Sequence, residues 1–457
     1  MRHRKPESAP GHGVAAEVLR GAVCFMAAAA LLLGLLAASA LIPREAIAPR
    51  VLASAEALRD AENYEQALEG VRGSTVDRYA DSILLNILWH FDEKDPLGSV
   101  MRAGYYADPG DPMPRNLYVA VTENPGANQQ YIRYWHGSAA LVRGLMTFLT
   151  LDQIVLWHGI ALGALALWLG FRLLRRGETW GAAGLLVGLV GICAWFVPCS
   201  LEYAWMFWIL LLQLHALVSR RFPTDWGKRR LFFLLSGVCA GFLDFLTTET
   251  LTLLVPLLFL LRQDRRSGRE TAFRGMMKRG AGAALAWALG YLGMWALKWV
   301  VASVVLGENV LPYVTGHIEE RLAGDIGLSL PEYVVTGLYR NIRCLFPLEY
   351  GTVGVIAGIA IALGAAYWGV TRRRARFCGA WALMCLVVAL VPYVRYLILV
   401  NHSFMHYFFT YRAQMATLMA AVFILEEVLT APAASPCRLF PAAGGADDPR
   451  KGRRRHP

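Results

Sequence analysis

Long apolar runs recur along this chain, at 22–42, 151–171, 180–198, 201–218, 231–247, 281–306, 348–370, 378–400 and 405–428, with a further one at 250–261. A spanning helix needs about 20 mostly apolar residues to traverse roughly 30 Å of hydrocarbon. Only 250–261 is clearly short, which suits a broken or tilted helix. Of the 457 residues 56% are hydrophobic and 17% charged, too apolar a balance for an ordinary soluble protein. The expected fold is all-α: a polytopic integral membrane protein with about ten transmembrane helices.

The distribution of charge orients those helices. The formal charge is +11, but most Lys and Arg fall in short clusters between apolar runs: "RHRK" (2–5), "RLLRR" (172–176), "RRFPTDWGKRR" (220–230), a stretch over 262–279, "RRRAR" (372–376) and "RKGRRR" (450–455). If ten helices alternate, all these clusters fall on one side, as the positive-inside rule requires. Both termini are therefore expected in the cytoplasm, with the chain in a bacterial plasma (inner) membrane. The clusters argue against nucleic-acid binding. The first run follows "RHRK" and ends near Ala38–Ala40, as a signal peptide could, but its length favours an uncleaved helix.

The expected organisation is a cytoplasmic segment 1–21, a first helix 22–43 and an extracytoplasmic loop 44–138 with short interfacial helices. A multi-pass domain 139–428, with an outer loop at about 307–347, and a basic tail 429–457 complete it. None of the eight cysteines forms a CxxC pair or a zinc spacing, so neither a disulfide framework nor a cysteine zinc site is expected.

Ionisable groups beside or within membrane helices are costly and mark functional candidates. In "VDRYADSILLNILWH" the apolar positions Ile83, Leu84, Ile87 and Leu88 recur at helical spacing, which stacks Asp77 and Asp81 on one face of a short helix. They are either the solvated, capped start of that helix or working acids at a dry interface. "YIRYWHG" (131–137) joins Tyr131, Tyr134 and Trp135 to Arg133 and His136. Its rings suit either an interfacial aromatic belt or the stacking of a sugar. "DFLTTET" (244–250) places Asp244 inside a span, with Arg395 or Arg412 as the expected partner. His402 and His406, four apart, share a helical face with Arg412 further along. Without HExxH or a third ligand, these donors fit a lipid phosphate better than a metal. Outer-loop groups His317, Glu319, Glu320, Arg340 and Arg343 and the turn residues Glu202 and Glu249 join the same side. No Walker, Rossmann or GxSxG motif is present, which disfavours a nucleotide-driven pump or a cytosolic sugar-nucleotide enzyme.

The arrangement resembles the GT-C superfamily of membrane glycosyltransferases, in its aminoarabinose-transferase and protein-mannosyltransferase branches. These move sugars from polyprenyl-phosphate carriers on the non-cytoplasmic side. "DRYAD" looks like their "DE-x-RYA" motif: Asp77, Arg78, Tyr79 and Ala80 match, while the second acid of the "DE" pair is missing because Arg78 follows Asp77 directly. "RYWHG" stands where those enzymes carry "H-x-P-P-x-x-Y-W", without its prolines. The strings around 70–90, 133–137, 244–250 and 401–412 bear a closer likeness, to bacterial multi-pass proteins with no assigned substrate.

The resemblance implies a transferase in which Asp77 deprotonates an acceptor hydroxyl and Asp81 supports it, with Arg78, Tyr79, Tyr134, Trp135 and Asp244 at the substrates. Arg133, His136, His402, His406 and Arg412 would hold the donor, a polyprenyl-phosphate sugar. Beyond that donor no cofactor is implied, a divalent metal being an open alternative that no motif supports, and the expected partners are membrane lipid and lipid-linked sugar. Asp77, His136 and Arg412 should then line one cavity. Two alternatives are a transporter or flippase of lipid-linked glycans, whose working charges would sit mid-membrane, and a non-enzymatic envelope-assembly protein indifferent to loss of the acids.

Overall fold

The computed structural model describes residues 10–322, 328–346, 358–368 and 379–430. The basic runs at 2–5, 372–376 and 450–455 and the tail beyond 430 lie outside the described residues, as do the side chains of His317, Glu319 and Glu320. The described chain is mostly helical.

Helix α1 (Pro10–Ala40) starts well before the apolar run that announced it. Residues 44–138 then fold into a cap on one end of the helical body. The cap holds α2 (Arg44–Leu58), β1 (Tyr64–Gln66), β2 (Thr75–Asp77), α3 (Arg78–Trp89), α4 (Pro96–Arg102), β3 (Gly104–Tyr105), α5 (Met113–Thr122) and β4 (Gln129–Gln130). Two small antiparallel ribbons pin its loops: β1–β2, with Tyr64 opposite Asp77, and β3–β4, with Gly104 opposite Gln130. Leu85, Ile87 and Leu88 of α3 are buried with Ile47, Val51 and Leu117 of α2 and α5. Burial of each such side chain contributes about 1.5–3 kcal/mol.

The body follows: α6 (Ala139–Leu145), α7 (Leu151–Arg175), α8 (Thr179–Gly191), α9 (Leu201–Leu217), α10 (Trp226–Leu243), α11 (Leu251–Arg266) and α12 (Phe273–Leu306). Beyond it come α13 (Leu311–Leu322), α14 (Leu330–Arg343), α15 (Gly358–Trp368), α16 (Gly379–Ile398) and α17 (Val400–Met405). Last is a rod made of α18 (Tyr407–Thr410), a 3-10 turn (Tyr411–Gln414) and α19 (Met415–Thr430). Five stretches are long and apolar enough to cross a membrane: Val14–Ala40, α7, α12, α16 and the rod Tyr407–Thr430. The other apolar runs give shorter helices. α11 is buried along almost its whole length, so protein rather than lipid surrounds it and bilayer thickness does not set its length. The first turn of α10 carries Lys228, Arg229 and Arg230, which shortens its apolar part.

α10 and α12 meet backbone to backbone. A Cβ added at Gly237 would lie 2.0 Å from the Trp287 carbonyl oxygen, and one at Gly290 would lie 2.2 Å from that of Leu234. Small residues permit this approach, and in a membrane such seams replace the missing hydrophobic drive. Two buried cations tie cap to body. Lys298 of α12 donates to the carbonyls of Val100 (3.2 Å) and Met101 (2.9 Å) in the last turn of α4. Arg143 of α6 donates to the Leu88 carbonyl and, at 2.7 Å, to that of Ile42.

Candidate functional site

Asp77 ends β2 and caps α3, its Oδ1 accepting the Ala80 N–H at 2.8 Å. The capping that the sequence suggested is present, but the face is not solvated: Asp77 and Asp81 are only 3% and 1% exposed. The start of α9 buries them. Asp77 N–H donates to Ser200 Oγ (2.7 Å), and Asp81 Oδ1 accepts the Leu201 N–H (2.9 Å). Asp81 Oδ2 is buried without a hydrogen-bond partner. Loss of water pushes each carboxyl up to about 7, against the single backbone donor that each retains. Near neutral pH these acids are poised to exchange protons.

The loop 131–137 brings a histidine to the same place. Gly137 donates its N–H to the Phe242 carbonyl (3.1 Å), and a Cβ there would fall 2.4 Å from that oxygen, so only glycine allows the contact. Docked this way, His136 takes a left-handed backbone (φ 52°), a conformation uncommon outside glycine. Its Nε2 faces the Tyr131 carbonyl at 3.0 Å and must donate to it, which leaves Nδ1 as the acceptor nitrogen. Burial, with Lys298 and Arg133 nearby, lowers the imidazole to about 3. His136 is therefore neutral at physiological pH and cannot supply the positive charge that the sequence reading asked of it.

These groups line one small chamber of about 70 Å³ with Tyr64, Tyr79, Tyr131, Tyr134, Glu202, His402 and His406. The imidazoles of His402 and His406 lie 4.8 Å apart, and His406 stacks on Phe409 at 5.2 Å. As the side chains stand, the chamber has room for a few waters or for the hydroxyl-bearing end of a molecule. Three carboxyl groups and three imidazoles face it, and among the described residues no Lys or Arg does. Such a lining suits hydroxyl hydrogen bonding and proton transfer, not a phosphate.

Several expected site residues lie elsewhere. Arg412 is fully buried behind the wall. It donates to the Gly73 carbonyl at 3.0 Å and packs over the Tyr203 and Tyr411 rings, while its Nε and Nη1 have no partner. Arg78 leans toward Glu65 at 3.7 Å. Trp135 donates its indole N–H to the Met294 carbonyl at 2.7 Å and is part of the core. Asp244 has neither expected arginine as its hydrogen-bond partner. It caps the end of α10, accepting from Leu246 and Thr247 N–H and from the Tyr291 hydroxyl at 2.9 Å. Arg395 pairs instead with Glu249 at 2.5 Å.

No protein-family model, curated protein or solved structure matches the chain.

A second cavity of about 400 Å³ adjoins the chamber, and Tyr134 lines both. Its walls are largely apolar, with Trp287, Trp295, Trp299 and Val394 among them. Arg133 and the Arg395–Glu249 pair are its charged members. The Arg133 guanidinium lies over the Tyr131 ring (4.1 Å), and its Nε has no partner. Tyr64, Ser200 and Phe245 escaped the sequence reading. Only the register of β1 on β2 puts Tyr64 opposite Asp77, and no local pattern in "ENYEQ" signals that.

Proposed function

We propose that the chain is a GT-C-type membrane glycosyltransferase that moves a sugar from a polyprenyl-phosphate carrier to a hydroxyl of a lipid or cell-envelope glycan. Asp77 takes the acceptor proton as the hydroxyl oxygen bonds to the anomeric carbon. The bond from that carbon to the phosphate oxygen breaks, and its electron pair leaves with the carrier phosphate. Asp81, its neighbour, keeps that pocket acidic and dry, while His136 presents a neutral Nδ1 to a substrate hydroxyl. The observation that carries the reading is the junction at Tyr134: two buried carboxyls near neutrality on one side, a largely apolar cavity of about 400 Å³ with Arg133 on the other. Charge developing on a departing phosphate needs preorganised donors, and Arg133, not Arg412, stands where the lipid cavity meets the acids. In this reading the shorter apolar helices complete about ten passes, the termini lie in the cytoplasm of a bacterial inner membrane, and the cap faces outward.

Purified protein given polyprenyl-phosphate sugars and lipid acceptors tests the reading. Wild type should release carrier phosphate, Asp77→Asn should not, and Arg133→Gln should weaken donor use by about tenfold, the loss of a charged hydrogen bond. Undiminished turnover by Asp77→Asn sinks the base assignment. A donor that crosses vesicles unconsumed replaces the enzyme with a flippase.

A further inference from the structure

At the opposite end of α10 from Phe245 lies a strongly basic cavity. α10 has 18 residues, so about 27 Å of helix separates that end from the acids. The cavity measures about 520 Å³ and is ringed by Arg176, Arg229, Arg262, Arg266 and Arg269, with Glu178 as its one acidic lining group.

The arginines outnumber the carboxylates that steady them. Asp264 accepts from Arg229 (2.9 Å), Arg269 (3.1 Å) and Arg279 (2.6 Å), and is itself 1% exposed. Glu178 is shared by Arg262 and Arg266, both at 2.5 Å, and Glu426 gives Arg262 a second partner at 2.6 Å. Arg176 has no ion-pair partner among the described residues. Carboxylates split between several guanidiniums leave N–H donors and positive charge facing the opening. The inner wall has the contrary character: Leu173, Leu217, Phe222 and Phe259. A site with guanidinium forks on the rim and hydrocarbon behind matches a phosphate attached to something apolar. Basic pockets between membrane helices recognise anionic lipid headgroups in this way.

We propose that this cavity binds a phosphate-bearing anion, either the headgroup of an anionic phospholipid or a soluble phosphate compound, at a site separate from the acids. The proposal does not depend on what the acids do. Arg229 and Arg262 are locked in the buried network, so the anion is read by the outer arginines, Arg176, Arg266 and Arg269.

The experiment compares the full chain with Arg266→Gln/Arg269→Gln, and with Arg274→Gln/Lys278→Gln as a charge-matched control away from the cavity. Native mass spectrometry from mixed micelles measures retention of phosphatidylglycerol against phosphatidylcholine. Thermal unfolding in detergent with inorganic pyrophosphate measures the soluble source. Wild type and the control should share the binding, and the rim variant should lose at least about tenfold, given two charge-assisted contacts. Retention of phosphatidylglycerol alone assigns the site to lipid, and stabilisation by pyrophosphate alone assigns it to a soluble anion. Absence of both in wild type overturns the proposal. So does equal loss in the control, which would mean diffuse charge rather than a site. Matching unfolding midpoints without ligand show that the rim variant is folded.

Discussion

Replacing Asp81 by Asn should stabilise the protein at alkaline pH and leave it unchanged in acid. Burial raises this carboxyl from 3.8 to about 7, its Oδ2 finding no donor and its Oδ1 only the Leu201 N–H. A raised carboxyl holds its proton in the folded state at pH values where the unfolded chain has lost it. Stability therefore falls as pH climbs from about 4 to about 7, then levels off. Roughly three pKa units at about 1.36 kcal/mol each give a loss on the order of 4 kcal/mol. Asparagine has the shape of the protonated acid and still accepts from Leu201, so it stays at the acid plateau throughout. The difference between variant and wild type should grow from near zero at about pH 4 to a few kcal/mol at about pH 8. Denaturant unfolding in detergent, followed by tryptophan fluorescence across that range, measures it. If Asp81→Asn tracks wild type at every pH, or is the weaker protein in alkali, the carboxyl is held ionised and the account of the chamber is wrong.

Asp77 should act as a base only when deprotonated, so donor turnover should rise with pH through about 7 and then flatten. Asp77→Asn should lower it by about 10²–10⁴, the usual weight of a general base, with helix α3 still capped. Gly137→Ala forces a Cβ against Phe242, at 2.3 Å from its ring. A cost of about 1–3 kcal/mol, read as a lowered unfolding midpoint, should accompany the displacement of His136. Arg395→Gln leaves Glu249 buried without its cation. It should destabilise by about 3–5 kcal/mol, and a midpoint near that of wild type would show that water already reaches the pair.

The long apolar helices α7, α12 and α16 were legible because composition alone suffices where lipid is the solvent. The capping role of Asp77 was legible too, since an acid directly before a run with helical spacing is a local signal. Its burial was not, because the group that covers it, the start of α9, lies more than a hundred residues away. Short interfacial helices in 44–138 are legible, but their packing into one cap is not: the Pro, Gly and Asn content signals turns, and helices of seven to fifteen residues are held there by packing rather than propensity. Partner choice was the least legible feature. General electrostatics pairs Asp244 with an arginine, yet Tyr291 on the adjoining helix is the group that donates to it. Helical continuity puts Arg412 on the helix of His402 and His406, but it lies in the 3-10 turn Tyr411–Gln414 and donates to the Gly73 carbonyl.

The glycine seam between α10 and α12 has a mechanical meaning. Two helices whose main chains interlock at Gly237 and Gly290 can neither slide nor twist past one another without backbone collisions. They form a single girder. One end of it carries Phe245 and the acid chamber, and the other anchors Arg229 in the basic cavity. Any rocking that carried a substrate through the protein would have to pivot around this girder as a fixed axle, so labels on α10 and α12 should keep their spacing whatever the rest of the molecule does.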